Sequence, residues 1–347
     1  MASNPFVLTF GREPIQYIPR LDYFYRVEND FLSETRPNQI YMITGVRGSG
    51  KTVLLSMLAK RFEEKSDWIV IDLNPERDML ESFASQLYNS SKVKHLFLKI
   101  GFSLSFNGAG LSIENNKPSE DIETSINKMM EYLSKNGKNV LITLDDAVSN
   151  SNIKAFSHTF QSLIRKDYPI FLLMTGLYEN ITTIQNSKSL TFLSRAPKLV
   201  MTPLNLPAIK ASYEDIFTIS DAVGTQMAKL TAGYAYAFQL LGYLFWEEKV
   251  KDISKNLLDK YDQYLSEFVY DRMWDNIPEK ERTVLENMTK NEKIEAIIED
   301  CHISDKEFSV YRDRLIKRGI VIAKERGKLT YALPRFKEYL QTKELFI

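Results

Sequence analysis

Cysteine is nearly missing from this chain. Its one thiol, Cys301, leaves no second sulfur for an intrachain disulfide, a composition suited to a reducing compartment, and a cytoplasmic location is expected. An excess of charge of either sign is missing too. Lys and Arg number 45, Asp and Glu 45, for a formal net charge of zero, so no global field draws the protein onto nucleic acid or anionic lipid and any such surface has to be local. Long apolar runs are lacking. The longest, residues 235–246, is broken by Gln239 and falls short of the roughly 20 residues a membrane helix needs, so no membrane partner is expected. The N-terminal stretch MASNPFVLTFGREP has no charged-then-apolar leader pattern. Histidine occurs three times, at 95, 158 and 302, without metal-ligand spacing, and no Ser-His-Asp or Cys-His constellation is visible. There is no repeat and no low-complexity tract. What remains is 44% hydrophobic and 26% charged over 347 residues, an ordinary globular composition long enough for two or three domains.

The chemistry is concentrated in residues 39–58, QIYMITGVRGSGKTVLLSML. Residues 39–44 read as a short buried strand, and the apolar density of 53–58 reads as a helix with one buried face. Between them Gly45, Val46, Arg47, Gly48, Ser49, Gly50, Lys51 and Thr52 complete the pattern G-x-x-x-x-G-K-[ST]. A glycine loop between a strand and a helix is the context of a phosphate-binding P-loop. Its backbone N–H groups converge on one point and the helix N-terminus adds partial positive charge. Lys51 is then placed to reach the β- and γ-phosphates of ATP, and the Thr52 hydroxyl to hold Mg²⁺.

Downstream, WIVIDL at 68–73 predicts a second buried strand and 79–88 a helix. Residues 99–114, KIGFSLSFNGAGLSIE, alternate around a glycine-rich turn and predict a β-hairpin, taken as an insertion at about 96–118. A helix at 121–135 leads to the strand NVLITL, closing on Asp145-Asp146. An apolar strand ending in an acid, downstream of a P-loop, is the Walker B pattern, with Asp145 beside Thr52 in the metal's surroundings. A helix at 153–166 precedes a strand at 169–174 that closes on Thr175, a polar side chain placed to face a γ-phosphate. A fifth strand is expected at 198–201. Five parallel strands separated by helices predict an α/β sandwich with its site at the C-terminal strand ends. From residue 203 the pattern turns helical: 209–217, 222–230, 234–247, 253–274, 278–288, 293–300 and 305–318. Ser304 and Glu307 form a capping box, and Gly319 is a suitable stop. A hairpin over 320–333 and a closing helix at 335–341 complete a winged helix-turn-helix. The expected domains are a P-loop ATPase core at 1–203, an all-helical lid at 204–275 and the winged helix at 276–347. The segment before the P-loop is expected to cap the sheet or to pack on a nucleotide base.

Together these residues resemble the AAA+/STAND ATPases, near the archaeal-type ATPases and the origin-recognition initiators that end in a winged helix. GVRGSGKT, LITLDDA and LLMTG carry the resemblance, and it runs over nearly the whole chain. It implies binding of Mg·ATP and hydrolysis to ADP and phosphate. The segment Leu193-Ser194-Arg195-Ala196 is similar to the S-R-C motif of clamp loaders, whose arginine reaches a neighbour's γ-phosphate. That implies a trans-acting role for Arg195 and a homo-oligomer; the plainer alternative is a surface arginine before an edge strand. Two departures stand out. The family's Asp-Glu pair is here Asp145-Asp146, so the general base would be one methylene short, and a misplacement of ~1 Å can cost roughly 10²-fold in rate. The lid's nucleotide-sensing arginine is also absent from 233–236, which read Gly-Tyr-Ala-Tyr. Binding with slow turnover is the expectation.

Two functions from different classes follow. One is a nucleotide-controlled DNA-binding ATPase. Residues 306–337 hold ten Lys or Arg against three Asp or Glu, a local net charge of +7. In the helix at 305–318, Phe308, Tyr311 and Leu315 form the expected buried stripe, leaving Lys306, Ser309, Asp313 and Lys317 facing out. No base-reading pair stands on that face, so contacts to duplex DNA would be made mainly to phosphate. The other is a STAND-type switch whose winged helix contacts protein.

Overall fold

The computed structural model describes residues 3–9, 14–99, 105–107, 110–112, 121–190 and 192–344, with only the backbone for 105–107 and 110–112. The chain forms two compact units. One takes in Leu21–Thr44 and Lys51–Val200, the other Met1–Arg20, Gly45–Gly50 and Met201–Ile347.

The first unit runs α1 (Leu21–Leu32), β1 (Ile40–Thr44), α2 (Lys51–Glu63), β2 (Trp68–Leu73), α3 (Met79–Asn89), α4 (Lys94–Lys99), β3 (Ser105–Asn107), β4 (Gly110–Ser112), α5 (Ile122–Lys135), β5 (Asn139–Leu144), α6 (Ser151–Arg165), β6 (Ile170–Gly176), α7 (Tyr178–Gln185) and β7 (Lys198–Val200). Its sheet has the order β2-β5-β6-β1-β7, and every neighbouring pair is parallel. Every residue of β1 and β6 is buried, as strands covered by helices on both faces must be, which is why they read as unbroken apolar runs. The chain leaves β1 for the far edge strand β2 and returns through β5 and β6. That order makes β1 and β5 the two neighbours of β6, so the ends of all three strands come together. The helices start where the sequence offers caps. Asp121 accepts from the amides of Glu123 and Thr124 ahead of α5, and Asn150 from Ile153 ahead of α6. Their buried faces, Ile126, Met129, Met130 and Leu133 on α5 and Ile153, Phe156, Phe160 and Leu163 on α6, follow the helical period. On the sheet's other side Phe31 of α1 lies 4.8 Å from the ring of Phe171, and Trp68 4.3 Å from Phe62.

Part of the expected hairpin is seen among the described residues. β3 and β4 pair antiparallel with Asn107 opposite Gly110, whereas Lys99, its expected first residue, ends a helix. Residues 100–104, 108–109 and 113–120 of that expectation lie outside the described ones.

The second unit contains α8 (Leu206–Ile216), α9 (Asp221–Thr231), α10 (Ala235–Glu248), α11 (Lys255–Leu265), α12 (Asp271–Asp275), α13 (Glu279–Met288), α14 (Ile294–Cys301), α15 (Asp305–Arg318), β8 (Val321–Ile322), β9 (Thr330–Tyr331) and α16 (Phe336–Glu344). A π-helical turn, Ser266–Tyr270, joins α11 to α12, so the single helix expected at 253–274 carries a wide turn near its end. Residues before α1 belong partly here. Phe6 is buried and stacks with Phe217 and edge-on to Phe238, so the expected sheet cap is supplied by α1 and not by the first residues of the chain. Behind α12 the order is three helices and a hairpin. Val321 pairs with Tyr331, and a third short segment joins them through the bridge from Lys293 to Lys328. The capping box at Ser304 and Glu307 is formed, and Gly319 closes α15 at φ 79°.

Candidate functional site

In the sheet unit β5 delivers Asp145 at its C-terminal end, where two hydroxyls hold its carboxylate. Thr52, in the first turn of α2, donates to Oδ2 at 2.8 Å, and Thr175, at the end of β6, donates to Oδ1. Strand register explains the second contact, because β6 lies beside β5 with Leu144 opposite Met174. Thr175 is fully buried. Its hydroxyl also accepts from the Asp146 amide at 3.0 Å, and its carbonyl from Ala147 at 2.8 Å. The side chain expected to sense a γ-phosphate thus holds the Walker B turn in place. Asp146 sits in that turn at φ 48° with its side chain exposed; aspartate is among the few non-glycine residues that enter this region readily. Lys51 opens α2 and is buried. One acid escaped the sequence reading. Asp72, on β2 opposite Thr143, accepts from the Thr143 hydroxyl at 2.8 Å, and its signal was an acid next to the end of an apolar strand.

The glycine loop itself, Gly45–Gly50, packs within the helical unit. Gly48 at φ 74° and Gly50 at φ 90° occupy backbone conformations that favour glycine, and the Ser49 amide closes a turn onto the Val46 carbonyl at 3.2 Å. The next three carbonyls all receive donors. Arg47 O accepts from the Tyr234 hydroxyl, Gly48 O from the Tyr236 amide at 3.0 Å, and Ser49 O from the Arg20 guanidinium at 3.2 Å. Burial holds the Tyr234 phenol far above its ordinary value, so it stays a donor. The tyrosines at 234 and 236 belong to the helical core, but Tyr234 also reaches the loop.

Residues 30–194 match a family described as an ATPase domain predominantly from Archaea. This chain carries an archaeal-type ATPase domain. The match contains the glycine loop and the Asp145 cluster, and it stops one residue before Arg195. A second match, to a domain of unknown function, DUF8462, covers 267–340, and no curated protein matches. Among solved structures the chain is similar to Cdc6p from Pyrobaculum aerophilum, at 15% identity over 97% of this chain and 98% of that one, with a TM-score of 0.50. It is also similar to the Aeropyrum pernix ORC2 protein in ADPNP-ADP complexes, at 14% identity over 96% and 97%, with a TM-score of 0.55. The fold is that of AAA+ ATPases: a five-stranded parallel sheet with helices, then a helical C-terminal region.

Arg195 ends the 3₁₀ turn Leu193–Arg195 and is exposed. In the C-terminal segment the ATPase has less available positive charge than the sequence count suggests. Glu281, on α13 and only 1% exposed, binds Arg318 at 2.8 Å and Arg314 at 3.5 Å. Arg335 lies 2.6 Å from both Asp262 and Glu338, Lys328 bonds Glu325 at 2.6 Å, and Arg312 meets Asp313 at 3.2 Å. Lys306, Lys317, Lys324 and Arg326 are exposed. Phe308 and Leu315 form the buried stripe of α15, with Tyr311 and Ser309 both half-buried. Among the described residues no helix is long and apolar enough to cross a membrane.

Proposed function

We propose that this ATPase domain binds Mg·ATP through residues 45–52, hydrolyses it slowly, and uses the nucleotide to control contact between its C-terminal region, read as a winged helix, and duplex DNA. The observation that carries the reading is the Asp145 carboxylate held by Thr175 and by Thr52, the residue that completes the G-x-x-x-x-G-K-T run in the sequence. The donor set suits Mg²⁺. Among the described residues no cluster of three His, Cys, Asp or Glu is assembled, and Mg²⁺ at phosphate sites commonly takes one or two protein oxygens and draws the rest from phosphate and water. Thr52 would bind the ion directly and Asp145 would orient its water shell; the ion, when bound, neutralises charge developing on the phosphates. Lys51 offers its ammonium to the β- and γ-phosphates, Asp146 is the general base, and Thr175 positions the turn that carries Asp146. Arg195, exposed and just outside the matched family segment, is available to a neighbouring copy, which makes the active form a homo-oligomer. The ADPNP-ADP complexes of the similar ORC2 structure support a nucleotide ligand. Proposed domain limits fall at 203 and 275.

Calorimetry on Lys51→Ala tests the core of this reading. Charge-assisted hydrogen bonds contribute roughly 1.5–3 kcal/mol each, so ATP should bind at least about tenfold more weakly; unchanged affinity would remove Lys51 from the site.

A second reading is favoured by two observations within the helical unit. Arg314 and Arg318 are engaged by Glu281, and a Cβ on Gly319, the stop of α15, would lie 3.8 Å from Val46 of the glycine loop. A C-terminal segment that touches the loop itself is placed to be released when nucleotide exchanges, exposing an assembly surface and not a DNA face. Gel filtration and duplex binding with and without Mg·ATP separate the two. Nucleotide-dependent DNA retention supports the first, and nucleotide-driven oligomers without DNA the second.

A further inference from the structure

The loop carbonyls of Arg47, Gly48 and Ser49 are consecutive, and each is met by a donor from outside the loop: the Tyr234 hydroxyl and the Tyr236 amide at the start of α10, and the Arg20 guanidinium. In a planar trans peptide the carbonyl and the following N–H point in opposite directions. Fixing these three oxygens therefore fixes the N–H groups of Gly48, Ser49 and Gly50. The Ser49 amide turns back onto Val46; those of Gly48 and Gly50 are aimed away from the donors, the arrangement an anion-binding loop requires. The fit is tight. A Cβ on Gly48 would sit 2.2 Å from the Tyr234 hydroxyl oxygen, so a residue larger than glycine at 48 and the phenol cannot share the space. Arg20 is itself held by a second bond to the Thr202 carbonyl, and Tyr234 follows Gly233, whose φ of 76° turns the chain into α10.

We propose that Tyr234, with Arg20 and the Tyr236 amide, is a positioning clamp that presets the phosphate loop from its carbonyl side and links the helical unit to nucleotide binding through loop backbone. This rests on the reading of residues 45–52 as a nucleotide site and adds the residues that shape it. An arginine aimed at a γ-phosphate would distinguish ATP from ADP. The Tyr234 hydroxyl donates to loop backbone at Arg47, so its loss should weaken the two nucleotides equally.

The test uses Tyr234→Phe in the full chain, with Tyr213→Phe as its control. Tyr213 is buried in the same helical core and donates to the Phe238 carbonyl at 2.8 Å, so its loss removes a comparable hydrogen bond away from the loop. Tyr234→Phe should weaken ATP and ADP by the same factor, roughly three- to tenfold for one hydrogen bond, while Tyr213→Phe leaves both affinities unchanged. In nucleotide-free protein, hydrogen exchange at the Tyr236 amide should quicken in Tyr234→Phe and not in Tyr213→Phe. Selective loss of ATP alone, unchanged affinity for both nucleotides, or equal effects of the two variants overturns the clamp. The exchange arm needs no ligand. Faster exchange in Tyr234→Phe, together with a wild-type chain that binds neither nucleotide, would keep the clamp as a feature of the loop and overturn the ATP-binding reading instead; unchanged exchange in Tyr234→Phe overturns the clamp regardless of nucleotide.

Discussion

At Asp146 two demands compete. The backbone sits at φ 48°, where aspartate and asparagine are tolerated and longer side chains less so, at a cost of roughly 1–2 kcal/mol. The chemistry, in contrast, favours the extra methylene of glutamate. The expected outcome is that reach wins in rate and loses in stability. Asp146→Glu should raise single-turnover hydrolysis by about tenfold or more while lowering the denaturation midpoint slightly. Asp146→Asn, which suits the backbone, should keep stability and nearly abolish hydrolysis. Rapid-quench measurement of the first turnover checks both, and a rate indifferent to both substitutions would show that Asp146 is not the base. Thr175 shows why the identity of a site residue is easier to read than its task. A threonine closing the strand after Walker B announces a polar group at the site. Only the register of β6 against β5 shows that its hydroxyl is already taken by Asp145 and the Asp146 amide.

Among the elements, α10 is the one most dependent on a distant partner. Gly242 on this helix faces Phe6, and a Cβ there would lie 2.4 Å from the ring. Gly242→Ala should therefore expel Phe6 and cost about 3–5 kcal/mol, as Phe6→Ala would, but the double variant should cost little more than Phe6→Ala alone. A denaturant double-mutant cycle reads this coupling directly, and additive losses would contradict it. The same contact marks where sequence reading stops. The strands β1, β2, β5 and β6 were legible because burial on both faces leaves only apolar residues, and α15 because its capping box and terminal glycine are local signals. The helices α4 and α7 were missed. KHLFLK is short and lies beside a run that alternates, and YENITTIQ carries β-branched residues at four of its eight positions with no capping side chain. Phe6 and Arg20 meet residues far along the chain, a relation that no local pattern encodes. The loop contact of Tyr234 was not legible either, since a buried aromatic looks the same in sequence whichever atom its hydroxyl meets.

For the whole molecule, charge and assembly give the decisive measurements. Duplex binding through Lys306, Lys317, Lys324 and Arg326, at about four phosphates, should fall with log salt at a slope of roughly −3.6, and Lys324→Ala with Arg326→Ala should reduce that slope by about two units. Lys328 is held by Glu325, so its removal should matter less; no duplex binding at low salt would leave the switch reading alone. If Arg195 serves a neighbouring copy, the hydrolysis rate per chain should rise with protein concentration and lose that dependence in Arg195→Ala, whereas a rate independent of concentration would confine Arg195 to the surface. The division of the chain also sets a timetable for biosynthesis. The six residues Gly45–Gly50 belong to a unit otherwise made of Met1–Arg20 and Met201–Ile347, and their carbonyl donor Tyr236 leaves the ribosome roughly 190 residues after them, some 10–40 s later at ~5–20 residues per second. Through that interval the nascent sheet has its strands and its acids but an unfinished loop; under the proposed clamp the newborn chain should not grip nucleotide until its second half has been made.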